Sequence, residues 1–142
     1  MLLSAGAEVN ALVPGSLDSG LLKATRHDDV EVARVLLDHR ANANKFAAHS
    51  QTPLQLATEC DNEALVRLLL ERGADIDLGN RFYGMPLVVA TCNGNLVNVR
   101  LLLEHGAYVD ETDYFGTALY QAIQRGYNAI ARLLQEYGGH CN

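Results

Sequence analysis

Three residues with metal-ligand chemistry recur at near-constant spacing: His27, Cys60 and Cys92 stand 33 and 32 positions apart. An imidazole and two thiolates are the donors zinc takes in tetrahedral sites. The spacing belongs to no zinc module, however, and cysteines at variable helix positions usually act as small hydrophobes, so no metal is expected. The chain contains no nucleotide-binding glycine loop, no H-E-x-x-H and no G-x-S-x-G, and neither catalysis nor a cofactor is expected. The most regular charged feature is a column of arginines, Arg34, Arg67, Arg100 and Arg132, each followed four residues later by Asp38, Glu71, Glu104 or Glu136. On a helix these i,i+4 pairs face one another and contribute about 0.3 kcal/mol each. They read as a solvated helix face in preference to a docking stripe for a charged partner.

Composition narrows the field further. The 142 residues are 49% hydrophobic and 20% charged, a balance that supports one ordered domain with its own core. A net charge of −6 argues against nucleic acid as a partner, because that affinity rests on Lys and Arg displacing counterions from phosphates. Three cysteines without C-x-x-C spacing fit a reducing compartment. The expected location is therefore intracellular, in the cytoplasm or the nucleus. No apolar run approaches the roughly 18 to 20 residues of a membrane span, and no membrane association is expected.

What positions these residues is an internal repeat. RLLLERGADID at 67–77 returns as RLLLEHGAYVD at 100–110, more loosely as RLLQEYGGHCN at 132–142, and upstream as RVLLDHRANAN at 34–44. A second phrase precedes each copy: SGLLKATRHDD at 19–29, TPLQLATECDN at 52–62, MPLVVATCNGN at 85–95 and TALYQAIQRGY at 117–127. Leu21, Leu54, Leu87 and Leu119 are each followed three residues later by alanine, the spacing of one buried face of a short helix. Thr52 before Pro53 predicts a capped helix start, and Gly94 and Gly126 predict left-handed helix ends. A longer second helix follows, closed by Gly73 or Gly106, so each unit reads as helix, tight turn, helix and extended loop.

The 33-residue period, TPLQLA at 52–57 and LLLERGADID at 68–77 resemble the ankyrin repeat. The resemblance covers nearly the whole chain and implies an all-α fold, an ankyrin-repeat solenoid of stacked helix-turn-helix units with extended hairpin loops. Its expected divisions are a partial unit at 1–10 and full units at 11–44, 45–77, 78–110 and 111–142. Several positions depart from the family pattern. The histidine that normally ties neighbouring hairpins is replaced by Leu22, Gln55, Val88 and Tyr120, which predicts looser ties. Arg40 stands where the pattern has glycine. Gln135 replaces the leucine of inner units, as a terminal cap would, while Ile130, Leu133 and Leu134 are left needing cover.

The resemblance also implies where partners bind: a concave face built from loop tips and variable positions of the first helices. Three helix columns carry it, reading Lys23, Leu56, Val89, Gln121; then Arg26, Glu59, Cys92, Gln124; then His27, Cys60, Asn93, Arg125. Leu56 and Val89 form an apolar centre with a basic and polar rim, the arrangement of a contact patch, although both could instead pack against neighbouring helices. Phe46, Phe82, Tyr83, Tyr114 and Phe115 fall in the inter-unit loops, where aromatic residues can anchor an interface. Tyr83 and Phe115 precede Gly84 and Gly116 and could fold back on the hairpins, leaving Phe46, Phe82 and Tyr114 as the outward candidates. The expected binding set is therefore Lys23, Arg26, Phe46, Leu56, Glu59, Phe82, Val89, Cys92, Tyr114, Gln121 and Arg125.

The function implied is that of a non-enzymatic module that binds a protein or peptide. Two alternatives stay open. One is the substrate-receiving part of a ubiquitin-ligase adaptor, since FGTALYQAI at 115–123 weakly resembles ankyrin and SOCS-box proteins, although no SOCS-like segment is present. The other is a spacer in a longer solenoid. MLLSAGAEVN at 1–10 lacks the basic and apolar regions of a signal peptide. It aligns instead with the end of a second helix and its loop, so the array is expected to continue upstream.

Overall fold

The computed structural model describes residues 17–44, 51–78, 84–110, 112–113 and 116–138. The partial unit at 1–10 lies outside the described residues. Among the described residues, eight short helices run in pairs: α1 (Leu17–Arg26) with α2 (Val30–Asp38), α3 (Pro53–Glu59) with α4 (Glu63–Glu71), α5 (Pro86–Cys92) with α6 (Leu96–Glu104), and α7 (Ala118–Arg125) with α8 (Asn128–Glu136). Before α7, two-residue strands β1 (Thr112–Asp113) and β2 (Gly116–Thr117) pair antiparallel, with Thr112 opposite Thr117. Each helix pair packs on the next. The fold is the all-α repeat solenoid expected from the period.

Local chemistry sets the helix ends. Thr52 and Gln55 form a reciprocal capping box: Thr52 Oγ1 accepts from Gln55 N–H at 3.1 Å and Gln55 Oε1 accepts from Thr52 N–H at 3.0 Å. Thr117 Oγ1 caps α7 with a single bond, accepting from Tyr120 N–H. The second helices start on Asp29, Asn62 and Asn95, whose side chains accept from backbone N–H groups three residues on. The turn inside each pair needs a left-handed residue, supplied by Asp28, Asp61, Gly94 and Gly126 with φ of 58°, 63°, 70° and 75°. The turn after each second helix repeats the requirement at Arg40, Gly73, Gly106 and Gly138. Arg40 adopts the glycine's conformation at φ 70°, which an L side chain resists.

The core runs the length of the array. Leu36, Leu69, Leu102 and Leu134 occupy one second-helix column and are fully buried. Leu21, Leu54, Leu87 and Leu119, with the alanines that follow them, line the first helices. Thr25, Thr58 and Thr91 are also fully buried, and each hydroxyl donates to the carbonyl four residues earlier, at 2.7 to 2.8 Å. Their polar groups are thereby satisfied without a partner from another unit. Asn98 is the exception: it stands in the apolar column of Leu65 and Ile130, fully buried, and both its amide atoms lack a hydrogen-bond partner.

Three expectations require correction. The ties between hairpins are not loosened at Gln55. Its Nε2 donates to Gly84 O of the next unit at 3.0 Å while its Oε1 completes the cap. An amide has both a donor and an acceptor, so it can do both jobs. Among the described residues the arginine column forms none of its four i,i+4 pairs. Arg34 lies 3.9 Å from Glu31, and Asp38 instead takes Arg72 of the next unit at 2.6 Å. An arginine placed four residues before an acid is the weaker orientation on a helix, and Asp38 is free to reach across the seam. Ile130, Leu133 and Leu134 do not need external cover: all three are buried, while Gln135 is exposed.

Candidate partner-binding surface

The first helices bring part of the expected binding set together. On α1, Lys23 and Arg26 are exposed; on α3, Glu59 is exposed and accepts a hydrogen bond from Gln51 Nε2. Val89 and Cys92 of α5 are half-buried, as is Gln121 of α7. Gln121 Oε1 accepts from the exposed Arg125 at 3.2 Å, one helical turn on. Leu56 differs from its column: it is 6% exposed and offers no open contact surface, so the apolar centre reduces to Val89 and Cys92. Leu56 lies on a helix in which every residue from Pro53 to Thr58 is buried. Asn93, the C-cap just past α5, points back along the array, where its Nδ2 donates to Thr58 O at 3.1 Å.

Cys60 follows α3 at the first seam. Burial, then the carboxylates of Asp28 and Glu59, push its thiol pKa up, and the Arg26 guanidinium partly offsets them. A thiol held protonated in this way is a poor nucleophile and a poor metal ligand. Among the described residues, no three His, Cys, Asp or Glu side chains gather into a group that could hold a metal. The arrangement does join Arg26, Asp28 and Glu59 across the first seam into one mixed-charge patch.

Phe46, Phe82 and Tyr114, with Tyr83 and Phe115, lie outside the described residues. The exposed large hydrophobic residues that are described were not in the expected set: Val97, Tyr108, Tyr120, Ile123 and Tyr137. All five belong to the third and fourth units. Column breaks could have found them. Tyr108 stands where Asn42 and Asp75 form short turns by accepting from the N–H two residues on, and Ile123 stands where the other units have threonine. No helix among the described residues is long and apolar enough to cross a membrane.

No curated protein matches this chain. The family profile described as ankyrin repeats (3 copies) matches residues 1–80 and again residues 76–142. With a 33-residue period, paired helices closed by left-handed turns, and a profile match from end to end, the chain belongs to the ankyrin-repeat family, whose members are generally protein–protein interaction modules and typically non-catalytic.

Proposed function

We propose that this array binds a protein or peptide across its concave face, through the first-helix columns and the loop tips. The observation that supports this most directly is the side-chain distribution on the first helices. The half-buried apolar pair Val89 and Cys92 is flanked by exposed Lys23, Arg26 and Glu59 on one side and by Arg125 on the other. Lys23 and Arg26 are both exposed on α1, which leaves their charges open to a partner. Phe46, Phe82 and Tyr114 supply aromatic anchors at the loop tips in this reading.

The test compares affinity capture by the wild-type chain with capture by Val89→Lys and by Phe82→Ala, each protein followed by thermal melting in circular dichroism. The reading expects captured proteins to be lost while the melt stays within a few degrees of wild type. Loss of capture only in step with loss of folding would refute it.

A further inference from the structure

The chain contains one Asn–Gly pair, Asn93–Gly94, and two seams meet at it. Asn93 caps the end of α5 and is exposed to water, and its Nδ2 donates to Thr58 O of the second unit. Gly94 belongs to the other seam. Its φ of 70° is close to that of Asp28 and Asp61 in the same column, which carry side chains there. What excludes a side chain at Gly94 is the Tyr127 ring of the fourth unit, 3.1 Å from where a Cβ would stand. One contact calls for an amide and the next for a glycine, and together they set Asn before Gly.

That dipeptide is prone to deamidation, because glycine has no Cβ to shield its nitrogen. The Gly94 nitrogen attacks Asn93 Cγ, the new C–N bond closes a five-membered succinimide, and the Cγ–Nδ2 bond breaks to release ammonia. Water then opens the ring to aspartate or isoaspartate, so an amide becomes an acid with no change of oxidation state. Three restraints oppose this in the folded chain. Asn93 sits at φ −77° and ψ −10°, helical values at which the Gly94 nitrogen does not face Cγ. Gly94 N–H donates to Thr91 O at 2.9 Å. The amide that must leave is held by Thr58 O at 3.1 Å.

We infer that Asn93–Gly94 is a deamidation site gated by the seam between the second and third units, and that its conversion weakens that seam. The product loses the donor, since a carboxylate only accepts. Thr58 O keeps the N–H of Asp61 at 3.0 Å but meets a carboxylate oxygen where the amide N–H stood. The new charge also joins a seam at which Asn95 Nδ2 already donates to Asp61 at 2.7 Å and to Glu63 at 3.3 Å. Isoaspartate further adds a methylene to the backbone at the helix end. Opening of the seam permits the reaction and the product opposes reclosure, so the change runs one way.

The test is peptide mapping of the full chain by mass spectrometry, following aspartate and isoaspartate at Asn93 during incubation at mildly alkaline pH, in buffer and in urea. Conversion in buffer is expected to be at least about tenfold slower than in urea, because it waits on local opening. Gln55→Ala removes a tie of the same seam and should raise the rate in buffer at least about tenfold while leaving the rate in urea unchanged. Leu36→Ala, a core truncation in the first unit, should leave the rate in buffer within about twofold of wild type. Asn93→Asp, which installs one product directly, should lower the urea midpoint. Equal rates in buffer and urea would overturn the inference, as would indifference to Gln55→Ala, an equal acceleration by Leu36→Ala, or an Asn93→Asp midpoint equal to that of wild type.

Discussion

The seam between the second and third units and the seam between the third and fourth solve the same packing problem with different chemistry. The former is polar. Gln55 donates to Gly84 O, Asn93 to Thr58 O, and Asn95 Nδ2 to Asp61 Oδ1 at 2.7 Å. At the latter the same columns carry Val88, Gly94 and Tyr127, and apolar burial with an aromatic ring on glycine takes over. Hydrogen bonds add direction and penalise misplacement, because an unmet buried polar group costs about 1 to 3 kcal/mol. Apolar contact adds area and tolerates sliding. The array therefore joins its first three units with bonds and its third to its fourth with greasy contacts, where exposed hydrophobic residues also gather.

The largest expected effect comes from breaking the polar seam. Gln55→Ala leaves Gly84 O and Thr52 N–H without their partner in a buried site and should cost about 3 kcal/mol, read as a fall in urea midpoint. Val88→Ala at the apolar seam should cost about half as much; equal losses would erase the distinction. Next, Asn98→Leu replaces a buried amide without partners by the residue its own column carries at Leu65, and should gain about 2 kcal/mol. An unchanged or lower midpoint would mean that the amide is satisfied in solution, for example by a buried water. Arg40→Gly relieves a left-handed arginine and should gain about 1 kcal/mol, bringing the first unit's closing turn to the standard of Gly73 and Gly106. Asp38→Ala removes the exposed pair with Arg72 and should cost under about 1 kcal/mol, shrinking as salt is added.

The smallest effect is a shift of reactivity with little change in stability. Asp28→Asn removes one of the charges that raise the Cys60 pKa, so the thiolate fraction at a given pH increases. Alkylation of Cys60 should quicken at pH 8, while the thermal melt moves little. The sign matters: the folded thiol keeps its proton to higher pH than the unfolded one. Its contribution to stability is present below the unfolded value and lost as pH rises through the folded one.

Most of the architecture could be read along the chain because it is written in local terms. A proline after Thr52, glycines at Gly94 and Gly126 and a leucine every turn act within one helix or one turn. The requirement for left-handed backbone could even be carried by column to Asp28, Asp61 and Arg40, which are not glycine. Partners across seams were less legible. Whether Asp38 meets Arg34 or Arg72 depends on how one unit is rotated on the next, and no within-helix rule contains that angle. The same gap hid the double role of Gln55 and the burial of Leu56. Of the binding set, Lys23, Arg26, Glu59 and Arg125 are exposed to solvent, while the exposure of Tyr108 and Ile123 was signalled only by their departure from a repeated residue type.

The side-chain ties between units have a kinetic consequence. Gln55 reaches Gly84 across 29 residues, Asn93 reaches Thr58 across 35, and Asn62 reaches Asp28 across 34. Closing each seam therefore costs nearly the same chain entropy, since that cost grows only with the logarithm of loop length. Topology then gives no seam a head start, and the order of folding follows bond strength alone. The first three units, whose two seams each carry four such ties, are the place for a nucleus to form, and structure spreads from there toward the fourth unit.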